Sequence, residues 1–327
     1  MDTLEIFSFL AACERDGKQA VLVTLVASTG PTMRALGGHM AVRADGDYVG
    51  ALSAGCIEAA IVAEALEALK MQQPRTVRFG QGSDYIDIRL PCGGGIDLHF
   101  QPVLGEKLAQ RAVQAITARQ PFALALPKSE GTADYLDPGA EPGIGEDDAR
   151  YIVTHLPNPK LIIIGEGVNV WAMAEMATPA RVDVEILSPD TKLIARAKAE
   201  GIPASLLQTL RDTDQLKSDP WSAILFLFHD HEWERHLLPK ALSEAHFYVG
   251  AMGSRAVHHR RMDMLRQAGL SDAEIAAIHA PIGLIPSARD PQTLAVSAVA
   301  EIIQTYHQST KAGATDRSTA SHLQLAG

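Results

Sequence analysis

The cysteine in "SAGCIEAAIVAEALEAL" (53–69) stands where an extended apolar segment gives way to a helical pattern. Ile57, Ile61, Ala65, Leu66 and Leu69 fall along one helical face, so the spacing predicts a helix over 56–70 with Cys56 at or just before its first turn. A thiol in that place meets unpaired N–H groups and the positive end of the helix dipole, which favours the thiolate. Such a sulfur could attack, carry a persulfide or ligate a soft metal. Glu58, two residues on, opposes this if its carboxylate turns towards the sulfur. The plainer reading is a small apolar side chain filling a tight corner beside Ala54 and Gly55. Cys92 precedes three glycines that would let a ligand approach the backbone closely, or else marks a plain flexible turn. Cys13 falls within the opening helical pattern and reads as packing.

A second set of residues follows position 160. "GEGVNV" (165–170) supplies Gly165 and Gly167, the first two glycines of a dinucleotide turn, with Val170 where the third would stand. The acid that would hold a ribose at the end of the next strand is replaced by Ser188, with Asp190 two residues later. "FHDHEWERH" (228–236) places His229 and Asp230 at the carboxyl end of an apolar strand, where open α/β sheets bind ligands. With His231 and His236 these histidines could form a metal site, although an early helical turn would not make them converge. "GSR" (253–255) reads as a strand end turning into a helix. Ser254 is its N-cap, Gly253 precedes it and Arg255 lies beside it, a seat for a phosphate or a plain cap with a surface arginine. The following "HHRRM" (258–262) reads as an exposed face.

The elements that must carry these residues fall into two groups. Leu4, Phe7, Leu10 and Ala11 open an amphipathic helix over 3–16, and "AVLVTLVAS" (20–28) is a buried strand. "HMAVRADGDYVGALS" (39–53) reads as a hairpin around "DGD". A second hairpin over 75–103 has Ile86, Ile88 and Leu90 on one arm, Ile96, Leu98 and Phe100 on the other, and Cys92 at its tip. "PKSEGTADYLDPGAEPGIGEDDAR" (127–150) shows no periodicity and is expected to be a loop-rich connection. From 160 onward strands alternate with helices, which implies a parallel sheet. "SDAEIAAIH" is a capping box, and Asp290 with Pro291 starts a final helix. The fold class is therefore α/β: an α+β domain over 1–125, a boundary segment over 126–158, a Rossmann-like doubly wound domain over 159–307, and a disordered tail over 308–327.

At 327 residues with 46% hydrophobic and 21% charged content, the chain can bury two cores. A net charge of −10 argues against nucleic acid as a partner, while local cations leave room for a small anion. The three cysteines have no ligand spacing, so neither a disulfide scaffold nor a structural zinc is expected. No apolar run reaches the ~20 residues that span a bilayer and the N-terminus is acidic, so the expected location is the cytoplasm, with no membrane partner.

Several motifs in one order, "TGPTMRALGGHMAV" with Arg34, "SAGCIEA", "CGGGID", "IIIGEGVNV", "FHD", "YVGAMGSR" and "IHAPIGLIPSARDPQTLAVSAVAEII", resemble the XdhC/CoxI family, accessory proteins for xanthine dehydrogenase and related molybdenum hydroxylases. The resemblance implies a chaperone that binds the molybdenum cofactor (a pterin with a dithiolene and a phosphate), assists its sulfuration by a cysteine desulfurase, and delivers it to the apo-hydroxylase. Catalytic turnover is not the expectation, and a homodimer is. By that resemblance Arg34, Gly55, Cys56, Glu58 and Cys92 belong to the cofactor site, with Cys56 contacting molybdenum or its sulfur. His229, Asp230, Gly253, Ser254 and Arg255 would contact its pterin or phosphate from the second domain. The chain departs from the family pattern at Ala54, Val170, Ser188 and Phe228. The alternative is an NAD(P)-dependent oxidoreductase with Gly165 and Gly167 under the pyrophosphate, Ser188 or Asp190 near the ribose and His229 as proton donor.

Overall fold

A computed structural model describes residues 3–32, 34–53, 55–85, 90, 93–102, 104–137, 143–228 and 232–323, with the backbone alone for 143 and 311–323. The chain divides into two compact units, Met1–Pro157 and Asn158–Gly327.

The first unit runs α1 (Thr3–Arg15), β1 (Ala20–Thr29), β2 (His39–Arg43), β3 (Tyr48–Gly50), α2 (Glu58–Met71), β4 (Arg75–Gly80), β5 (Gly95–Gln101), α3 (Leu108–Thr117), β6 (Phe122–Pro127), β7 (Asp134–Leu136), β8 (Gly143–Glu146) and β9 (Arg150–His155). β1 is the middle strand of an antiparallel sheet ordered β3-β2-β1-β5-β4. Its alternation feeds two cores. Val21, Val23 and Leu25 pack with Ile57, Ile61 and Ala65 of the α2 segment, while Ala20 and Leu22 pack with Phe7 and Leu10 of α1. Each fully buried aliphatic side chain of this kind contributes roughly 1.5–3 kcal/mol, so α2 is held by the apolar face its sequence displays.

Three expectations need correction here. Segment 127–150 is more than a connection: β6–β9 form a second antiparallel sheet ordered β7-β6-β9-β8, which belongs to the first unit. Its outer strands are short and rich in Gly and acid, so they carry no alternation to read; β6 and the β9 residue Val153 supply the buried face. The second hairpin is also different. The arm opposite Ile96, Leu98 and Phe100 is β4, paired Gly80 to Gly95; Ile86, Ile88 and Cys92 lie outside the described residues. At the other end of the chain, helix continues to Leu323 where a disordered tail was expected, because a helix adds one bond per residue once an earlier segment has nucleated it.

The second unit runs β10 (Lys160–Gly165), α4 (Val168–Ala177), β11 (Asp183–Ser188), α5 (Thr191–Ala199), β12 (Ala204–Leu206), β13 (Ser222–Leu227), α6 (Glu232–Ser243), β14 (Tyr248–Ala251), α7 (Arg255–Gln267), α8 (Asp272–Ala276), β15 (Ile278–His279) and α9 (Pro291–Leu323). All six strands are parallel in the order β12-β11-β10-β13-β14-β15. This is the doubly wound Rossmann order, with its switch point between β10 and β13. β10 is apolar from Leu161 to Ile164 because both faces are covered: Leu161 and Ile163 join the core under α4 and α9, Ile162 and Ile164 the core under α6 and α7. Among the described residues no helix is long and apolar enough to cross a membrane.

Candidate functional site

In the first unit, antiparallel pairing brings three motif segments to one end of the five-stranded sheet. Thr29 pairs with Gly95, Gly80 with the same Gly95, and Gly50 with Met40, so segments 30–38, 51–57 and 81–94 leave together. Arg34 ties the first to the second, its Nε donating to the carbonyl of Ala51 at 3.1 Å. Its two Nη groups have no partner among the described residues. Gly94 ties the third to the first, passing so close to the carbonyl of Thr29 that no side chain could stand there.

Cys56 is an exposed free thiol, so the tight-corner packing reading is set aside. Gly55 before it has φ +93°, the left-handed turn that a side chain would strain. The helix begins later than expected: α2 starts at Glu58, Ile57 is its cap residue, and Cys56 lies one position outside. Its N–H donates to Ser53 Oγ at 3.1 Å. The Glu58 carboxylate folds back and accepts from Ser53 N (3.2 Å), Ser53 Oγ (2.8 Å) and Ile57 N (3.2 Å). The positive end of α2 is thus met by Glu58 and not by the sulfur. Burial pushes the Glu58 carboxyl up, but the hydrogen bonds from the Ser53 hydroxyl and the nearby backbone outweigh it and hold the group below its usual range. The arrangement presents a soft donor on a clamped turn, with a guanidinium on the adjoining segment. Ser53 was missed in the sequence; its signal is the capping-type spacing to Cys56 and Ile57.

In the second unit the motif residues gather along the carboxyl edge of the parallel sheet. Gly165 ends β10, where a Cβ would meet the Leu227 backbone at 2.9 Å, and Gly167 opens α4 with φ +78°. Val170 occupies the third glycine's place as a fully buried core residue. Ser188 cannot face a ribose, because it is fully buried and its hydroxyl accepts from Asp190 N at 3.1 Å. Asp190 is the N-cap of α5, accepting from Lys192 N (2.8 Å) and Leu193 N (3.2 Å). The ribose role expected of Ser188 is corrected by its burial, while Asp190 caps α5 through one carboxylate oxygen and also lines the cavity beside Gly167. Gly253 (φ +141°) leads into Ser254, whose Oγ accepts from Val257 N at 3.3 Å, and Arg255 is exposed at the start of α7. His229, Asp230 and His231 lie outside the described residues; His236 is exposed on α6. Among the described residues no group of three or more side chains could hold a metal ion.

Other residues went unread in the sequence. Arg261, within the "HHRRM" expected to be exposed, is buried against Glu234. A cavity of about 540 Å³ beside Gly167 is lined by Trp171, Asp190, Lys192, Arg196 and Gln292, with the Arg196 guanidinium 3.6 Å over the Trp171 ring. Neither contact follows from spacing along one element, since each joins two helices.

The profile described as "XdhC Rossmann domain" matches residues 161–302, and that described as "XdhC and CoxI family" matches residues 13–80. The chain is 34% identical over 301 residues to the molybdenum cofactor insertion chaperone PaoD of Escherichia coli, covering 92% of this chain and 88% of that protein. It is 22% identical over 335 residues to a protein of Bacillus subtilis described as a probable xanthine dehydrogenase subunit, covering 91% and 96%. A crystal structure of a xanthine dehydrogenase from Bacillus halodurans matches with TM-score 0.73 and 21% identity over 94% of this chain and 96% of that one, a likeness of fold.

Proposed function

The chain belongs to the XdhC and CoxI family, and from that premise we propose that it binds the molybdenum cofactor as cargo and inserts it into an apo-hydroxylase of the xanthine dehydrogenase kind. The observation that carries this reading is the exposed thiol of Cys56 on a turn clamped by Ser53 and Glu58, with the two Nη groups of Arg34, unengaged among the described residues, on the segment bonded to Ala51. The cargo has matching chemistry. Its metal and sulfur ligands are soft and suit a thiol, and its phosphate suits a guanidinium. Within the second unit, the glycine turns at Gly165–Gly167 and Gly253–Arg255 offer backbone N–H groups at helix starts, a chemistry that suits an anion.

In this account the protein holds and shields; it turns over no substrate. Cys56 takes the soft end, Arg34 the anionic end, and Glu58 keeps the turn in place without charge facing the cargo. Sulfuration of the bound cofactor by a cysteine desulfurase, and a homodimeric carrier in the cytoplasm, complete the proposal. The sealed hydroxyl of Ser188 weighs against a dinucleotide-dependent oxidoreductase. The test is activation of the partner apo-hydroxylase by wild type and by Cys56→Ser, both loaded anaerobically. The variant is expected to activate poorly while remaining folded; equal activation would remove the thiol from the account.

A further inference from the structure

Arg261 and Glu234 form an ion pair with side chains 1% and 0% exposed, joining α7 to α6. Arg261 Nε donates to Glu234 Oε2 at 2.8 Å and Nη2 to Oε1 at 2.9 Å, while Nη2 also donates to the carbonyl of Met252 at 2.8 Å. Stability does not explain such a pair, because desolvating two charges offsets their attraction and an apolar pair of similar volume is often as stable. Nη1 is moreover buried with no partner among the described residues, a donor that a purely stabilising contact would not leave unmet. What the charged pair does offer is geometry. A planar guanidinium can grip a carboxylate and a carbonyl at once, which an ammonium on a flexible stem cannot.

The carbonyl it grips matters because Met252 precedes Gly253–Ser254–Arg255. At Gly253 a Cβ would meet Val257 Cγ1 at 2.7 Å, so the turn lies tight against α7. Met252 is also reached from the other glycine turn, its Sδ accepting from Asn169 Nδ2 of α4 at 3.4 Å. One residue therefore receives contacts from the helices that open after β10 and after β14, on both sides of the switch point. We propose that Arg261 and Glu234 are positioning residues that fix the Met252 carbonyl, and through it the backbone N–H groups at the start of α7, for the anionic part of the cargo. This rests on the cofactor-carrier reading.

The test compares wild type with Arg261→Met/Glu234→Leu and with Arg261→Lys. Full-length proteins are measured for melting temperature, for amide hydrogen exchange resolved over 252–257, and for molybdopterin retained through gel filtration. The apolar pair is expected to melt near wild type, yet to exchange about tenfold faster over 252–257 and to bind molybdopterin about tenfold more weakly. Lysine is expected to shift both readouts in the same direction by less. A folded double variant with wild-type exchange and retention would overturn the proposal; should it not fold, unchanged exchange in folded Arg261→Lys would do so. If wild type retains no molybdopterin the carrier reading fails, and the exchange comparison still decides whether the pair fixes the turn.

Discussion

Replacing Glu58 by Gln removes the charge from the clamp that holds Cys56 while keeping its shape. In the native chain the carboxylate receives Ser53 N at 3.2 Å, Ser53 Oγ at 2.9 and 2.8 Å, and Ile57 N at 3.2 Å. Hydrogen bonds to a charged group contribute about 1.5–3 kcal/mol against about 0.5–1.5 for a neutral one. The amide also turns an NH₂ towards one of the donors, and the favourable charge at the N-terminus of α2, roughly 0.3–1 kcal/mol, is lost. The expected destabilisation is about 2–3 kcal/mol at neutral pH, read by urea denaturation with hydrogen exchange assigning the transition that contains α2. The pH dependence follows from the lowered carboxyl. Its stabilisation is present above the ordinary value near 4.5 and is lost as pH falls through the lower folded value, so the gap between the two proteins closes in acid. A gap below about 0.5 kcal/mol at neutral pH, or one that does not shrink in acid, would refute the clamp.

Three further outcomes are expected. Asp190→Ala should cost about 1 kcal/mol as the loss of an N-cap, measured by thermal melting, with no change in nucleotide affinity; a cap role fails if stability is unchanged. His99 is fully buried and desolvation lowers its pKa to about 4, so the unfolded chain takes up its proton first. Stability should therefore fall by roughly 3 kcal/mol as pH drops from 6.5 to 4, and melts of His99→Gln should show a flatter profile over that window. Gly283→Ala places a Cβ against Ser297 at a φ of +96° and should lower stability by roughly 2 kcal/mol or more, since both strain and overlap act; an unchanged melting temperature would show that the 280–288 loop can move aside.

What could be read in the sequence was what one element displays by itself. The α2 stripe of Ile57, Ile61, Ala65 and Leu69, the apolar run of β10, and the caps Ser254, Ser271 and Asp290 all have local signatures, and the structure has each in place. The second sheet was not legible, because strands such as Gly143–Glu146 are defined by their partners and carry no alternation. Cys56 could be located but its surroundings could not: that Glu58 turns back onto Ser53 and Ile57 depends on a rotamer, not a spacing. Arg261 reads as one more cation on a polar helix until the fold brings Glu234 across from α6. Ser188 reads as a weak ribose ligand until its burial is seen.

The most direct test of the carrier account is the molybdenum and pterin content of the full-length protein purified anaerobically from cells that make the cofactor. The account predicts near-equimolar molybdenum and molybdopterin on wild type and a clear loss of both on Cys56→Ser with an unaltered melting temperature. Wild-type protein that carries neither from such cells, or a serine variant that carries as much, would contradict it.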